Sequence, residues 1–249
     1  MKIFAIADMH LDGGAGKPMD IFGPHWANHR ERIFGSWQRR VEEDDVVLIP
    51  GDICWAMYFE DALSELKAIA ALPGKKVMIR GNHDYWWASP TKMRSRLPDS
   101  IFIIQNDSLD LGGFTVCGSR GWLLPSDSDF KQDDKKIYER ELIRLELSLR
   151  SVKRADVPKV CLIHYPPVSS KGDGSGFSEL MDKYGVTLCL YGHLHGRSCA
   201  QGFNGVINGT EYRLCSADSL GFEPMQIALP QAGIVPESIP VNASAEGTD

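Results

Sequence analysis

A chain of 249 residues with 43% hydrophobic and 24% charged content has enough apolar material for a sizeable α/β core. Its formal charge of −6 argues against a generally cationic nucleic-acid binder. No run reaches the roughly 18 apolar residues that a membrane span needs. Lys2 leads straight into the apolar run Ile3-Phe4-Ala5-Ile6-Ala7 with no small-residue cleavage site, so the expectation is a cytoplasmic protein without a membrane partner. The six cysteines contain no C-x-x-C pair, and several, such as Cys161, sit inside apolar runs. They read as buried free thiols rather than as a disulfide framework or a zinc finger.

The first strand is expected to end at Ala7-Asp8. Residues 11–30 follow as a long connection punctuated by Gly-Gly, Gly-Lys-Pro and Gly-Pro, and it carries His25, Trp26 and His29. A short helix is predicted from about Asn28 to Val41, then a strand Val46-Val47-Leu48-Ile49 that stops at Pro50-Gly51-Asp52. Residues 60–72 repeat Leu63, Leu66, Ile69 and Leu72 at spacing three, with Glu60 and Asp61 at the N-terminal end and Pro73-Gly74 as the stop, which reads as a helix. Residues 76–80 make the next strand and lead into Gly81-Asn82-His83-Asp84. Ile101–Ile104 and Phe114–Gly118 are expected to pair as two strands joined by a turn. The clearest helix spans 132–152, where Tyr138, Leu142, Leu145, Leu149 and Val152 alternate at spacings of four and three. Strands over 160–163 and 187–191 then run into His164 and Gly192-His193. Residues 204–229 alternate as an antiparallel region, and the organisation expected is one domain over 1–229 with a loose tail over 230–249.

This order of strands and helices predicts an α/β fold with polar clusters at the C-terminal ends of the strands, where such sheets bind ligands. The clusters offer Asp8, His10, Asp52, Asn82, His164, His193 and His195. These are oxygen and nitrogen donors without a thiolate, and seven exceed what one ion takes from protein. Two divalent ions fit better, with Asp52 as the natural shared carboxylate and His193-x-His195 able to reach both. Such a centre is locally positive in an acidic protein, draws a phosphate ester and supplies a hydroxide for in-line attack. His83 then faces the leaving group as general acid or charge stabiliser, and Asp84 is a candidate to orient it, with a simple turn carboxylate as the alternative. His25, His29, Tyr85, Trp86 and Arg120 are candidates for substrate contact. Trp55, Tyr85, Trp86 and Trp87 suggest an aromatic mouth, and Lys171–Gly176 a mobile loop beside His164.

The ordered series D-x-H, G-D, G-N-H-D, H and G-H-x-H, from residue 6 to about 196, resembles the calcineurin-like metallophosphoesterases, in particular a bacterial branch of predicted phosphohydrolases. The resemblance implies a four-layer α/β/β/α sandwich with a dinuclear centre at the strand ends. It implies one ion on Asp8, His10, Asp52 and His195, a second on Asp52, Asn82, His164 and His193, and His83 as the catalytic histidine. The metals it admits are Mn, Fe, Zn, Ni or Co. The protein serine/threonine phosphatases of this family continue G-D with V-D-R-G, whereas this chain has Ile53-Cys54-Trp55-Ala56. A phosphodiesterase acting on a small phosphate ester is therefore the expected activity. A phosphomonoesterase or nuclease on the same site is the alternative enzyme, and a non-catalytic metal-binding scaffold the alternative class.

Overall fold

The computed structural model describes residues 1–229, and the expected tail over 230–249 lies outside them. Among the described residues, eleven strands form two sheets. The first holds β1 (Ile3–Ala5), β2 (Val46–Ile49), β3 (Lys75–Met78) and β4 (Ile101–Ile103) in parallel, with β11 (Met225–Ile227) antiparallel on the free edge of β1. The second holds β6 (Thr115–Ser119), β7 (Lys159–Ile163), β8 (Leu188–Tyr191) and β10 (Thr210–Leu214) in parallel. Its edges are the antiparallel β5 (Leu109–Asp110) and β9 (Gly205–Ile207).

β1, β2, β7 and β8 are apolar on both faces, as a parallel sheet covered on both sides requires, whereas β10 alternates and carries Glu211 and Arg213 on its less buried face. The period of two separates those faces into different cores. Val46 and Leu48 of β2 pack with Val160 and Leu162 of β7 between the sheets. Their neighbours Val47 and Ile49 point instead to Ile33 and Trp37 of α1 (His29–Arg40) and to Ala62, Leu66 and Ile69 of α2 (Phe59–Ala70). Cys161 and Ile163 point the other way, to Leu145 and Leu149 of α4 (Gln132–Arg150) and Phe177 and Met181 of α5 (Gly176–Tyr184). The result is the four-layer α/β/β/α sandwich. A five-residue helix, α3 (Pro90–Arg94), lies between β3 and β4. No described helix is long and apolar enough to cross a membrane.

The expected helices fall within two residues of those formed, and the stop signals act as chain chemistry dictates. Pro73-Gly74 ends α2, with Gly74 at φ 85 and the Pro73 carbonyl accepting from the buried Trp37 indole at 2.9 Å. All six cysteines are free; five are buried, and Cys199 is half-buried. One strand pairing needs correction: Ile101–Ile103 does not pair with Thr115–Ser119. β4 joins β3 in one sheet and β6 joins β7 in the other, and the hairpin in this region is the short β5–β6 ladder of Leu109 on Val116 and Asp110 on Thr115. The 204–229 region is likewise only partly antiparallel, since β10 runs parallel to β8 and β11 crosses to the first sheet.

Lys76, on β3, is fully buried, and its ammonium donates to the carbonyls of Ala70 and Leu72 at the end of α2, which the helix itself leaves without partners. Burial pulls its pKa from 10.5 down to about 8, with Glu43 opposing weakly. The folded value lies below the unfolded one, so holding the charge costs stability below about pH 8, and that cost disappears as pH rises toward 10.5. Wild type should therefore gain on the order of 3 kcal/mol relative to Lys76→Met across this range. Urea unfolding of both proteins in steps of pH measures this, and a difference that does not vary with pH would refute it.

Candidate metal centre and active site

The C-terminal ends of β1, β2, β3, β7 and β8 converge on one edge of the sandwich, and the loops that leave them extend the ladders. The N–H groups of Asp8, His10 and Leu11 donate to the carbonyls of Gly51, Asp52 and Ile53, and Gly192 N–H donates to His164. Four of the expected ligands take left-handed backbone: Asp8 at φ 57, His10 at 45, Asp52 at 52 and His193 at 73. They make up half of the eight non-glycine residues with positive φ among those described. Such conformations cost of order 1–3 kcal/mol each and persist where the surroundings over-determine them, which is typical of functional sites. Two glycines give room: a Cβ at Gly81 would collide with the Asp52 carboxylate, and one at Gly192 with that of Asp8.

The seven expected ligands come together. Asp8, His10 and His195 offer ligand atoms within 4.8 Å of one another, as do Asp8, Asp52 and His164. Nε2 of His10 and Nε2 of His195 lie 3.2 Å apart. Asp52 Oδ2 is 3.8 Å from His10 Nε2 and 3.4 Å from His164 Nε2, so it stands between the histidines of both groups. Asn82 Oδ1 is 2.7 Å from His164 Nε2 and 3.0 Å from His193 Nδ1. Asp8, His10, Asp52 and His164 are all at most 3% exposed. Buried carboxylates and imidazoles aimed at one another without a thiolate are the donor set of divalent cations, and these residues fit such ions.

The ring orientations are fixed from behind. His164 Nδ1 lies 3.0 Å from the Pro50 carbonyl, which fixes the ring with Nε2 facing Asp52 and Asn82; burial works against its charge, but Asp52 and Asp8 raise its pKa to about 9. His195 Nδ1 lies 3.1 Å from Asp218 Oδ1, which also leaves Nε2 toward Asp8 and His10. Asp218 escaped the sequence reading because it follows the last motif by more than twenty positions and carries no spacing signal. Burial holds the His10 imidazole down to about 4, and burial with the His164 charge holds His193 down to about 3. Both are therefore neutral lone-pair donors at neutral pH. Burial works against the charge of Asp52, but the charge and hydrogen bond of His164 outweigh it and keep the carboxyl well below the usual range.

His83 is half-buried and its Nδ1 has no partner. Its ring packs 4.6 Å from Trp55 and 5.7 Å from His10, and it lines a cavity together with His10 and His195. Asp84 does not orient it, contrary to expectation. The Asp84 carboxylate is fully buried and accepts the N–H groups of Asp52 and Gly81 on one oxygen, and those of Ile53 and the Trp86 indole on the other. Burial and the Asp52 charge push its pKa up to about 7, while those N–H donors pull it back. Its part is to tie the Gly51-Asp52 exit to the Gly81-Asn82 exit.

The expected substrate contacts separate. Tyr85 is 49% exposed and 6.1 Å from the His83 ring, and His25 lies on the wall of the same cavity. His29 is turned inward, with Nε2 3.3 Å from the His10 carbonyl, so it positions backbone. Trp86 is buried against Phe59 and Trp87 and is no part of the mouth. Trp87 and Trp55 are buried as well, Trp55 stacked at 4.7 Å on His10. Arg120 points away from the centre: it pairs with the buried Glu141 at 3.1 Å and lines a separate cavity of about 60 Å³ with Arg80 and Arg144.

Asp84→Asn should turn an amide donor toward N–H donors whichever way it is flipped, lowering stability by about 2–4 kcal/mol in urea unfolding. A change under about 0.5 kcal/mol would show that the carboxylate is not the tie described. Asp218→Ala should weaken divalent-ion binding by about 10- to 100-fold in calorimetric titration while far-UV circular dichroism stays the same. Unaltered affinity would remove Asp218 from the centre.

No curated protein matches this chain in sequence. A protein of unknown function from Aquifex aeolicus, AQ665, has a crystal structure that matches with a TM-score of 0.51 at 16% identity, over 90% of this chain and 95% of that one. At that identity the likeness shows a shared fold alone. The family model described as calcineurin-like phosphoesterase matches residues 1–197, which contain every expected ligand. The chain belongs to the calcineurin-like phosphoesterase family, metal-dependent hydrolases that act on phosphoric ester bonds.

Proposed function

We propose that this chain is a phosphodiesterase acting on a small phosphate ester, with two divalent ions held by the seven converging ligands. One ion would be held by Asp8, His10, Asp52 and His195, and the other by Asp52, Asn82, His164 and His193. The observation that carries the reading is the position of Asp52 Oδ2 between His10 and His164, which lets one carboxylate serve both groups. Bound there, the ions would neutralise the phosphoryl oxygens and bring the pKa of a coordinated water toward neutrality.

The chain's own residues supply the rest. His164 and His195, fixed through Pro50 and Asp218, keep their Nε2 atoms aimed inward, so little reorganisation is needed when substrate arrives. His83 lines the cavity beside His10 and His195, where a proton can be given to the departing oxygen. Burial lowers the pKa of His83, with Asp52 opposing, so the ring gives up a proton more readily than a solvent-exposed imidazole. A diester is favoured over a monoester because neither arginine at these strand exits is offered to a dianionic phosphate: Arg120 is paired with Glu141, and Arg80 lines the same separate cavity as Arg120.

His83→Ala should reduce kcat on bis-4-nitrophenyl phosphate by about 10²- to 10⁴-fold in the Mn²⁺-loaded protein, with about two metals per chain retained by elemental analysis. Wild-type protein should prefer that diester to 4-nitrophenyl phosphate, with Asp52→Asn as the inactive reference. Unchanged turnover in His83→Ala would displace His83 from this role. Preference for the monoester would displace the diester reading.

A further inference from the structure

Arg80, Arg120 and Arg144 gather around the separate cavity of about 60 Å³, which lies where the exits of β3, β4 and β6 meet α4. None of the seven metal ligands lines it. Glu141 is the one carboxylate on its wall among the described residues, so three guanidinium groups outnumber a single negative charge. Glu141 is 1% exposed and holds Arg120 at 3.1 Å and Arg144 at 2.7 Å, both on Oε1. Burial works against the Arg120 charge. Glu141 supports that charge, while Arg80 and Arg144 add to the opposition, so the three guanidinium groups stand close enough to repel one another.

The hydrogen bonding of this wall is incomplete. Nε of Arg80 and Nε of Arg120 are buried donors without a partner among the described residues, and Oε2 of Glu141 is a buried acceptor without one. The rest of the wall also donates. Gln105 takes the Trp87 indole N–H on Oε1 at 2.7 Å, which leaves its amide N–H groups for a ligand. Ser119 Oγ accepts from Gly121 N–H, so its own O–H is available as well. Clustered guanidinium and amide donors around an excess of positive charge are the chemistry that holds an oxyanion. A volume of about 60 Å³ is several times what one water needs and far below the roughly 300 Å³ of a pocket for a drug-sized ligand. A small inorganic anion fits, and a nucleoside or a sugar does not.

Glu141 decides among such anions. Its Oε1 is taken up by two arginines, which leaves Oε2 for whatever occupies the cavity. Sulfate would set a bare oxygen against that carboxylate. Hydrogen phosphate keeps an O–H at neutral pH and can donate it there. We propose that this cavity is a binding site for inorganic phosphate in its protonated form, apart from the metal centre, with the three arginines on its bare oxygens and Glu141 on its hydroxyl. The site backs onto the centre: Arg80 directly precedes Gly81-Asn82, and the Arg120 carbonyl accepts the N–H groups of His164 and Tyr165.

The test is calorimetric titration with inorganic phosphate and with sulfate at neutral pH. Asp52→Asn protein, in which the metal centre is disabled, isolates the cavity, and metal-free wild type serves as a second background. Both should bind phosphate, and sulfate more weakly by at least about tenfold. Arg144 lies on the outer side of α4 with a side chain 38% exposed, so Arg144→Met should leave circular dichroism unchanged. It should weaken phosphate binding by at least about tenfold. Glu141→Gln keeps an oxygen for Arg120 and Arg144 and turns an N–H toward the anion, so the preference for phosphate should fall to within about twofold. Equal affinity for the two anions, or phosphate binding that survives Arg144→Met, overturns this assignment. So does the absence of phosphate binding in both backgrounds, which would leave the cavity to water. Turnover of bis-4-nitrophenyl phosphate enters none of these measurements, so the phosphodiesterase reading stands or falls separately.

Discussion

The constraint on which the site depends is the lacing of five strand exits into one dry polar edge. Parallel strands leave their last carbonyls and N–H groups pointing at the same edge, and each exit loop must find partners for them. Here the loops partner one another: Asp8 with Gly51, His10 with Asp52, Gly192 with His164. The Asp84 carboxylate completes the lattice by gathering N–H groups from two neighbouring exits. Ligand side chains thereby inherit the precision of the sheets. The left-handed backbone at Asp8, His10, Asp52 and His193 is held by this lattice, since none of these residues would choose it alone.

The same lattice explains what could be read in the sequence. A buried parallel strand is a short apolar run, and an Asp, His or Asn directly after it is visible as a change of chemistry. Asp8, Asp52, Asn82, His164 and His193 were legible for that reason, and the helices were legible from their period. Pairing was not. β4 follows β3 by more than twenty residues and Phe114–Gly118 lies nearer in sequence, yet hydrogen bonding between parallel strands ignores that distance. The local turn signal at 106–113 was real, but the strand it serves is Leu109–Asp110.

Side-chain direction was the second thing the sequence withheld. Trp86 and Tyr85 are adjacent, yet one is buried on Phe59 and the other is half exposed beside His83. Asp84 follows His83 and was expected to serve it, but one residue along the loop was enough to aim the carboxylate at backbone instead. Arg120 leaves β6 at the ligand edge, and the fully buried Glu141 of α4 draws it to the far side. Glu141 itself lies on the apolar face of that helix, a position where the periodicity gave no sign of a charge partner. Asp218 shows the converse: a residue without any local motif becomes part of the centre because β10 returns the chain to His195.

The charges that remain at the centre explain why a phosphate ester and divalent ions belong together in it. Asp8 and Asp52 are ionised, His10 and His193 are held neutral by burial, and against their own burial His164 and His195 are raised by the facing carboxylates to about 9 and about 10, so the charges balance and the protein alone offers an anion little attraction. Arg120, the cation best placed by sequence, is paired elsewhere, and Lys17 lies 4.0 Å over the Trp55 ring at the mouth. The imidazolium nitrogens of His164 and His195 face Asp52 and Asp8 at 3.4 and 3.5 Å, so their charge is taken up by those carboxylates and leaves no net field to hold a phosphate. Divalent ions held there would replace those protons and make the field positive at the position where the ligands converge. Binding of metal and of substrate are therefore linked, each raising the affinity for the other, in a chain whose overall charge of −6 would otherwise turn a phosphate ester away.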